Sequence, residues 1–354
     1  EGERGRYGSA GNAFFSHPGK RIQIRWGTTV IYDGIISAVR HRIDDVPERV
    51  IYECQDRMSL LRLRSFDFSA YTGAENVEAT NVFGLLNSPS FFAVTGASWR
   101  NVALPAGRES FADHISKMTT VTQAVFYVSR AGTVTYRSYD HRYAAPSTTL
   151  TNDPCVDTWE LGHSQRSILG RTTFLGDVIP RPLGNRVRID EIDELILDAA
   201  DIINTARTRK PPHPWYSVVS SSGSLTKYDV REFMLESDIF VSQTDAEMYA
   251  KWLVAEYQNG IVAPQSVIIR QPASIASLIT LDLFDVITLE ITARTSDARY
   301  DGTRVITALV SSLSYDITGQ EAQLVIGIEP TRGLNPLLAG ASAPEGTISE
   351  KVFV

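Results

Sequence analysis

The sequence predicts an α+β protein, mainly β, with two antiparallel β-barrel domains at opposite ends of the chain and an α+β region inserted between them. Three observations carry this. Between Leu281 and Pro330, three runs of alternating or β-branched residues (Val286–Thr292, Arg304–Leu313, Ala322–Ile328) are separated by polar turns at Ser296–Gly302 and Asp316–Gln320. An order of strand, Tyr-Asp-Gly, strand, acidic turn, strand holds there around Tyr300-Asp301-Gly302 and again at Lys20–Asp56 around Tyr32-Asp33-Gly34. The texture between these stretches is different, with helical stripes and one clear hairpin. The expected divisions are a first β-barrel at 1–65, an inserted α+β region at 66–183, a second β-barrel with its preceding helices at 184–330, and a C-terminal arm at 331–354.

In the first β-domain, Ile22, Ile24 and Trp26 alternate with Arg21, Gln23 and Arg25, the pattern of a half-buried strand. Tyr32-Asp33-Gly34 is read as a turn into Ile35–Ile43, and Arg49–Cys54 closes the set after an acidic turn holding Pro47. Short helices follow at Asp56–Leu63 and Ala79–Leu86, with Phe66–Glu78 as loop. Phe111, Ile115 and Met118 at i, i+4, i+7 mark a helix over Ser110–Thr119. Thr122–Ser129 and Thr133–Tyr139 form a hairpin around Gly132.

Beyond it, Tyr143–Pro182 is turn-rich, with short strands in Glu160–Leu175 and at Val187–Ile189. In Asp190–Asn204, Ile192, Leu195, Ile196, Ala199 and Ile203 share one helical face with carboxylates opposite, which predicts a helix. A second short helix is expected at Asp229–Leu235. The firmest one is Thr244–Tyr257, capped by Thr244 with Glu247 completing a capping box, its apolar face made by Ala246, Tyr249, Ala250, Leu253 and Tyr257. Gln265–Arg270 is a strand leading into the C-terminal meander, where Asp301-Gly302 supplies the positive φ of a tight reversal. The segment 331–354 is Pro-, Gly- and Ala-rich, an arm that is disordered or laid on a neighbour.

Composition bounds the function. The chain of 354 residues has 34 basic and 41 acidic residues, a net charge of −7, which argues against a nucleic-acid-binding surface. The N-terminal EGERGRYGSAGN has no apolar segment resembling a signal peptide, and no run approaches the ~18 apolar residues of a membrane helix. A soluble chain folded in the cytoplasm, without membrane insertion, is expected. Cys54 and Cys155 are no disulfide framework, and Cys54, in an alternating strand, reads as a small core residue.

No constellation points to catalysis. The six histidines (His17, His41, His114, His141, His163, His213) show no metal-binding spacing, and Asp113-His114 and Asp140-His141 point to different faces of their elements. GxSxG and Walker loops are absent. Asp190, Glu191, Asp193 and Glu194 lack the spacing of an EF-hand and read as a solvated face. Cys155 would be a nucleophile only with a histidine beside it. Trp159, Trp215 and Tyr216 would suit a sugar-stacking platform, although loop aromatics more often seal a core edge. The expectation is a non-enzyme with no catalytic, cofactor-binding or metal-binding residues and no cofactor.

Four places carry a family resemblance: Pro18-Gly19-Lys20-Arg21-Ile22-Gln23-Ile24 with Tyr32-Asp33-Gly34 and Cys54-Gln55-Asp56; the Ser110–Asp140 helix and hairpin; Leu225–Glu232 with Ala246–Leu253; and Asp282–Asp285 with Thr303–Ser314. On these the chain resembles the tail-tip or baseplate hub proteins of tailed bacteriophages, a minor tail protein family. The resemblance implies two tail-tube-like barrels per subunit and a trimer whose six barrels make a pseudo-sixfold ring. That ring would join the tail tube to the tip in the virion, after assembly in the host cytoplasm. Implied partners are a distal tail protein, a tape measure protein and other tail-tip or receptor-binding proteins, with DNA passing through the lumen without specific binding. The family's first barrel has strands ahead of the Pro-Gly-Lys segment. Here about twenty residues precede it, so that barrel is expected to be incomplete or to need another chain. A tail-associated cell-wall or polysaccharide hydrolase and a carbohydrate-binding module are the alternatives.

Overall fold

The computed structural model describes residues 18–42, 49–62, 64–68, 73–85, 92–96, 101–102, 108–152, 186–197, 202–293, 302–316, 322–331 and 347–353. The chain divides into two compact units, Glu1–Tyr139 and Asp140–Val354. Both are dominated by strands, and among the described residues no sheet closes on itself.

The first unit opens with β1 (Arg21–Trp26), β2 (Thr29–Arg42) and β3 (Arg49–Gln55), an antiparallel meander in the order β1-β2-β3. Here one expectation is corrected. The reversal lies at Gly27-Thr28, between Trp26 and Thr29, and Tyr32-Asp33-Gly34 sits in the middle of β2. Tyr-Asp-Gly is therefore a packing device in this meander. Asp33 is fully buried and holds Arg21 (Nε to Oδ1 2.9 Å), Gln23 and, at 3.3 Å, Arg57. Gly34 faces Gly-sized space, because a Cβ there would lie 2.5 Å from the carbonyl oxygen of Gln55 and would also strike the Tyr32 ring.

The rest of this unit follows the α+β expectation, with α1 (Met58–Leu61), β4 (Ser65–Asp67), β5 (Gly73–Ala74), α2 (Glu75–Gly84), β6 (Phe92–Thr95), β7 (Asn101–Val102), β8 (Arg108–Ser110), α3 (Phe111–Thr122), β9 (Val125–Val128) and β10 (Val134–Arg137). The stretch expected to be loop, Phe66–Glu78, contains strand β5 and the first turn of α2. Ser110 caps α3 by accepting from the Asp113 N–H at 3.1 Å. The predicted hairpin pairs β9 with β10, and β6 joins β10 in parallel. Phe83, on α2, stacks on Phe92 of β6 at 4.6 Å, and Phe68, Phe111, Ile115 and Met118 complete a solvent-free core.

The second unit begins with a 3₁₀ turn ending at Tyr143, then β11 (Thr148–Thr151), β12 (Arg186–Arg188), β13 (Glu191–Ile192), β14 (Leu195–Leu197), β15 (Thr205–Arg209), β16 (Trp215–Ser221), α4 (Ser222–Tyr228), β17 (Glu232–Glu236) and α5 (Gln243–Tyr257). It ends with β18 (Val262–Pro264), β19 (Ser266–Ile269), α6 (Pro272–Leu278), β20 (Val286–Ala293), β21 (Gly302–Asp316), β22 (Gln323–Pro330) and β23 (Thr347–Phe353). The meander β20-β21-β22 is present as predicted and forms the middle of a seven-stranded sheet, β12-β11-β20-β21-β22-β19-β13. Its inner face, including Ile287, Leu289, Ile291, Ala308, Val310, Leu324 and Ile326, packs with Ile275 and Leu278 of α6.

Two helix expectations fail here. Asp190–Asn204 supplies edge strands instead: β13 pairs with β19 and β14 with β18. Asp and Ile dominate that stretch and are mediocre helix formers, so strand pairing against an existing sheet wins. Residues 198–201 of it lie outside the described residues. Asp229–Leu235 is also no helix. The real helix, α4, ends at Tyr228; Asp229 takes φ 57°, and β17 then runs parallel to β15 with residues alternately exposed and half-buried. The α5 helix is correct but starts one residue early and is capped two residues before Thr244: Ser242 caps it (accepting from Asp245 N–H, 3.1 Å) and Asp245 accepts from Val241 N–H. Its buried face includes Ala246, Tyr249, Ala250 and Leu253 as predicted, with Val254 added and Tyr257 half-buried. Strands expected in Glu160–Leu175, and both turns of the C-terminal meander apart from Gly302 (φ 98°) and Asp316, lie outside the described residues.

The two meanders share a construction the Tyr-Asp-Gly string did not reveal. In each, a long central strand (14 residues in β2, 15 in β21) pairs with its predecessor along its first half and with its successor along its second. In each, a register shift in the second half leaves one serine out of the ladder, Ser37 between Ile36 and Ala38 and Ser311 between Val310 and Ser312. Such a bulge bends the strand and tightens its twist, which is how a sheet is curved.

Candidate functional site

A cluster of buried polar side chains lies in the first unit. His114 of α3 places Nδ1 2.8 Å from the accepting Oε1 of Glu109, and its Nε2 lies 3.5 Å from Glu78 Oε1 of α2. Lys117 holds the other Glu109 oxygen at 2.7 Å, and Phe68 stacks on the imidazole at 4.0 Å. Nearby on α2, Glu75 accepts from the Tyr136 hydroxyl at 3.0 Å, and burial, then the Glu75 charge, push that phenol well above its ordinary range.

A histidine flanked by carboxylates is how general-base chemistry is oriented, but such a base must reach a substrate. The side chains of His114 and Glu78 have no solvent exposure, and among the described residues neither Glu78 oxygen accepts a hydrogen bond. The cluster ties α2 to α3. Sequence reasoning weighed Asp113-His114 and missed this arrangement, although position 114 falls on the same helical stripe as Phe111, Ile115 and Met118.

Other sequence candidates are occupied by structural work. Asp190 accepts from the Arg270 N–H at 2.6 Å and Glu191 pairs with the Arg270 guanidinium, so two of the four carboxylates fasten β13 to the end of β19. Asp193 meets the Ser266 hydroxyl at 3.4 Å. Among the described residues, no group of three or more His, Cys, Asp and Glu side chains is placed to hold a metal ion. His141 bonds the Phe284 carbonyl and His213 the Trp215 carbonyl.

Trp215 has His213 edge-on at 4.4 Å. The Tyr216 ring is covered by the Arg209 guanidinium at 4.6 Å, and its hydroxyl donates to Glu236 at 3.0 Å. The Arg209 guanidinium and then the Tyr216 hydroxyl hold the Glu236 carboxyl below its usual range. Both aromatics thus have a partner within the protein, His213 for Trp215 and Arg209 with Glu236 for Tyr216. The Cys54 thiol is half-buried and free, and burial raises its pKa. His17, Cys155, Trp159 and His163 lie outside the described residues, as does the side chain of His41.

Among the described residues of the second unit, two cavities stand out. One of about 370 Å³ is lined by Ser147, Thr148, Arg186, Ser277 and Asp285, but Arg186 is committed to Glu290 at 2.9 Å. The other, of about 480 Å³, runs beside Tyr143, Pro146, Ile261 and Thr331. What the described surface does offer is extended sheet, with a matching bulge in each meander and a further register shift between Ile24 and Arg25 in the first. No helix among the described residues is long and apolar enough to cross a membrane.

Comparison with known proteins bears on the fold. A tail protein from Neisseria meningitidis MC58 superposes with a TM-score of 0.53 at 11% identity, covering 88% of this chain and 84% of that one. The 43 kDa tail protein of prophage MuSo2 from Shewanella oneidensis does so with a TM-score of 0.53 at 10% identity, over the same shares of the two chains. The chain has the fold of a phage tail protein. No family model and no curated protein sequence matches it. A tail-protein fold over 88% of the chain spans both compact units, so the likeness does not rest on one common β-module.

Proposed function

We propose that this chain is a structural component of a phage tail, and within the tail the hub of the tip or baseplate. Three copies form a pseudo-sixfold ring in which each copy supplies two barrel-like sheets, one around β1-β2-β3 and one around β20-β21-β22. The ring joins the tail tube to distal tail, tape measure and receptor-binding proteins and lines the channel through which DNA leaves. The observation that carries this reading is the repeated meander: a long central strand with its pairing staggered between two neighbours and a serine bulge in the second half, built twice in one chain. Two equivalent sheets per chain are what a threefold assembly needs to present six positions to a sixfold tube. The acidic balance of 41 carboxylates to 34 basic residues suits a lumen that DNA slides past, since each Lys or Arg contact with phosphate adds grip.

The test is the mass of the purified chain in solution. Native mass spectrometry across a concentration series is expected to show a trimer growing at the expense of monomer, with no dimer plateau. A monomer that persists at the highest concentration contradicts the hub reading.

A further inference from the structure

The four-stranded sheet β17-β15-β16-β23 ends in an edge strand that comes from the far end of the chain. Ala206, Val219, Ile239, Phe240, Ala246, Tyr249, Ala250 and Leu253 are all buried, and they come from β15, β16, α5 and the turn before α5. The only partner strand of β23 among the described residues is β16, which it pairs antiparallel from Trp215↔Phe353 to Ser221↔Thr347. It is thus an added edge strand, held by a main-chain ladder. The chain reaches it from Thr331 through fifteen residues, 332–346, rich in Pro, Gly and Ala. Fully extended, fifteen residues span about 50 Å. A unit of the size of Asp140–Val354 has a radius of gyration of about 17 Å. The connection is therefore long enough to carry β23 onto the neighbouring copy.

We infer that β23 is an exchange strand: in the assembled protein the Thr347–Phe353 segment of one copy pairs with β16 of the next. The inference rests on the ring reading, and adds to it the contact that locks adjacent copies. Every copy presents the same β16 edge, so a trans strand makes the same ladder as a cis strand and exchange sacrifices no hydrogen bond. While copies are dilute, the fifteen-residue connection favours the cis form, because it presents β23 to its own β16 at a high effective concentration. Neighbours fixed in a ring present the acceptor at an effective concentration comparable to the cis one, so assembly tips the balance.

The experiment uses the full chain with Cys54→Ser and Cys155→Ser, so that only new thiols react. One version carries Ser220→Cys and a second, of different tag length, carries Ile348→Cys. These positions face each other across the ladder. Directly opposed residues of an antiparallel pair have Cα atoms about 4.5–5.5 Å apart, inside the range a disulfide spans. A third version carries both substitutions. Mixing the first two before oxidation is expected to give a covalent heterodimer whose cross-linked peptides contain positions 220 and 348. If rings form but the mixture stays uncoupled while the double variant links only within one chain, exchange is wrong and the ring reading stands. If the double variant does not link at all, the β16 register is wrong and exchange falls with it. If no assembly forms and the mixture stays uncoupled, both readings fall.

Discussion

Asp33 shows how one residue can be misread in sequence and decisive in structure. Its Asp-Gly context marks a turn, yet it lies mid-strand with its carboxylate buried. Burial pushes its pKa up, but hydrogen bonds from Arg21 and Gln23 and the charges of Arg21 and Arg57 outweigh this and hold it below the ordinary range. A lowered folded pKa means stability that is fully present above the unfolded value near pH 4 and lost as pH falls through the folded value. Asp33→Asn is expected to cost about 1.5–3 kcal/mol at neutral pH, the range for hydrogen bonds to a charged group. In urea titrations the gap between the two proteins should narrow below about pH 4; a gap independent of pH would show that the charge is not what matters.

The neighbouring Gly34 makes a second prediction. Gly34→Ala should lower the urea midpoint of the first unit by the equivalent of about 1–3 kcal/mol, the cost of overpacking, because the Gln55 backbone cannot step aside. An unchanged midpoint would mean that β3 moves freely away from β2. Neither role was legible in the sequence, since a turn signal carries no information on which side chains will later crowd it. His114 was half-legible: its helical stripe was visible, but Glu78, far away in the chain, was not.

Among the elements, those with a strong private period were read correctly and those that borrow their structure from neighbours were not. The β20-β21-β22 meander, the β9-β10 hairpin, α3 and α5 all declare themselves by alternation or by a 3.6-residue stripe. By contrast β13 and β14 are two or three residues long and exist because β19 and β18 offer them edges. The capping of α5 turned on which of two hydroxyls lies where the chain enters the helix. Ser242→Ala should cost about 1 kcal/mol of helix stability and Thr244→Ala under about 0.5, read by thermal melts; equal effects would contradict the assignment. On the meander, Leu289→Ala should cost about 2–5 kcal/mol, because its side chain is fully buried in the sheet core. Val305→Ala, at a position 70% exposed on β21, should stay within about 0.5 kcal/mol. A reversal of that order would mean that the inner and outer faces of the sheet are misassigned.

At the scale of the whole molecule, the tail-protein fold was legible only because soft patterns in four places agreed with one another. The string that first suggested an internal repeat, Tyr-Asp-Gly, was not its carrier: it sits inside β2 in one meander, whereas in the other its glycine begins β21. The repeat is real at the level of strand stagger and bulge position, which depend on pairing partners and so have no local signature. No sequence pattern pointed to β23 as an added edge strand either, since its partner β16 lies more than a hundred residues earlier. The central claim is that two equivalent curved sheets per copy build a ring around an open axis. Cryo-electron microscopy of the purified chain at the highest soluble concentration tests it most directly. The account predicts annular particles with threefold symmetry, six similar β-densities and a central opening; a field of compact single copies with no opening would contradict it.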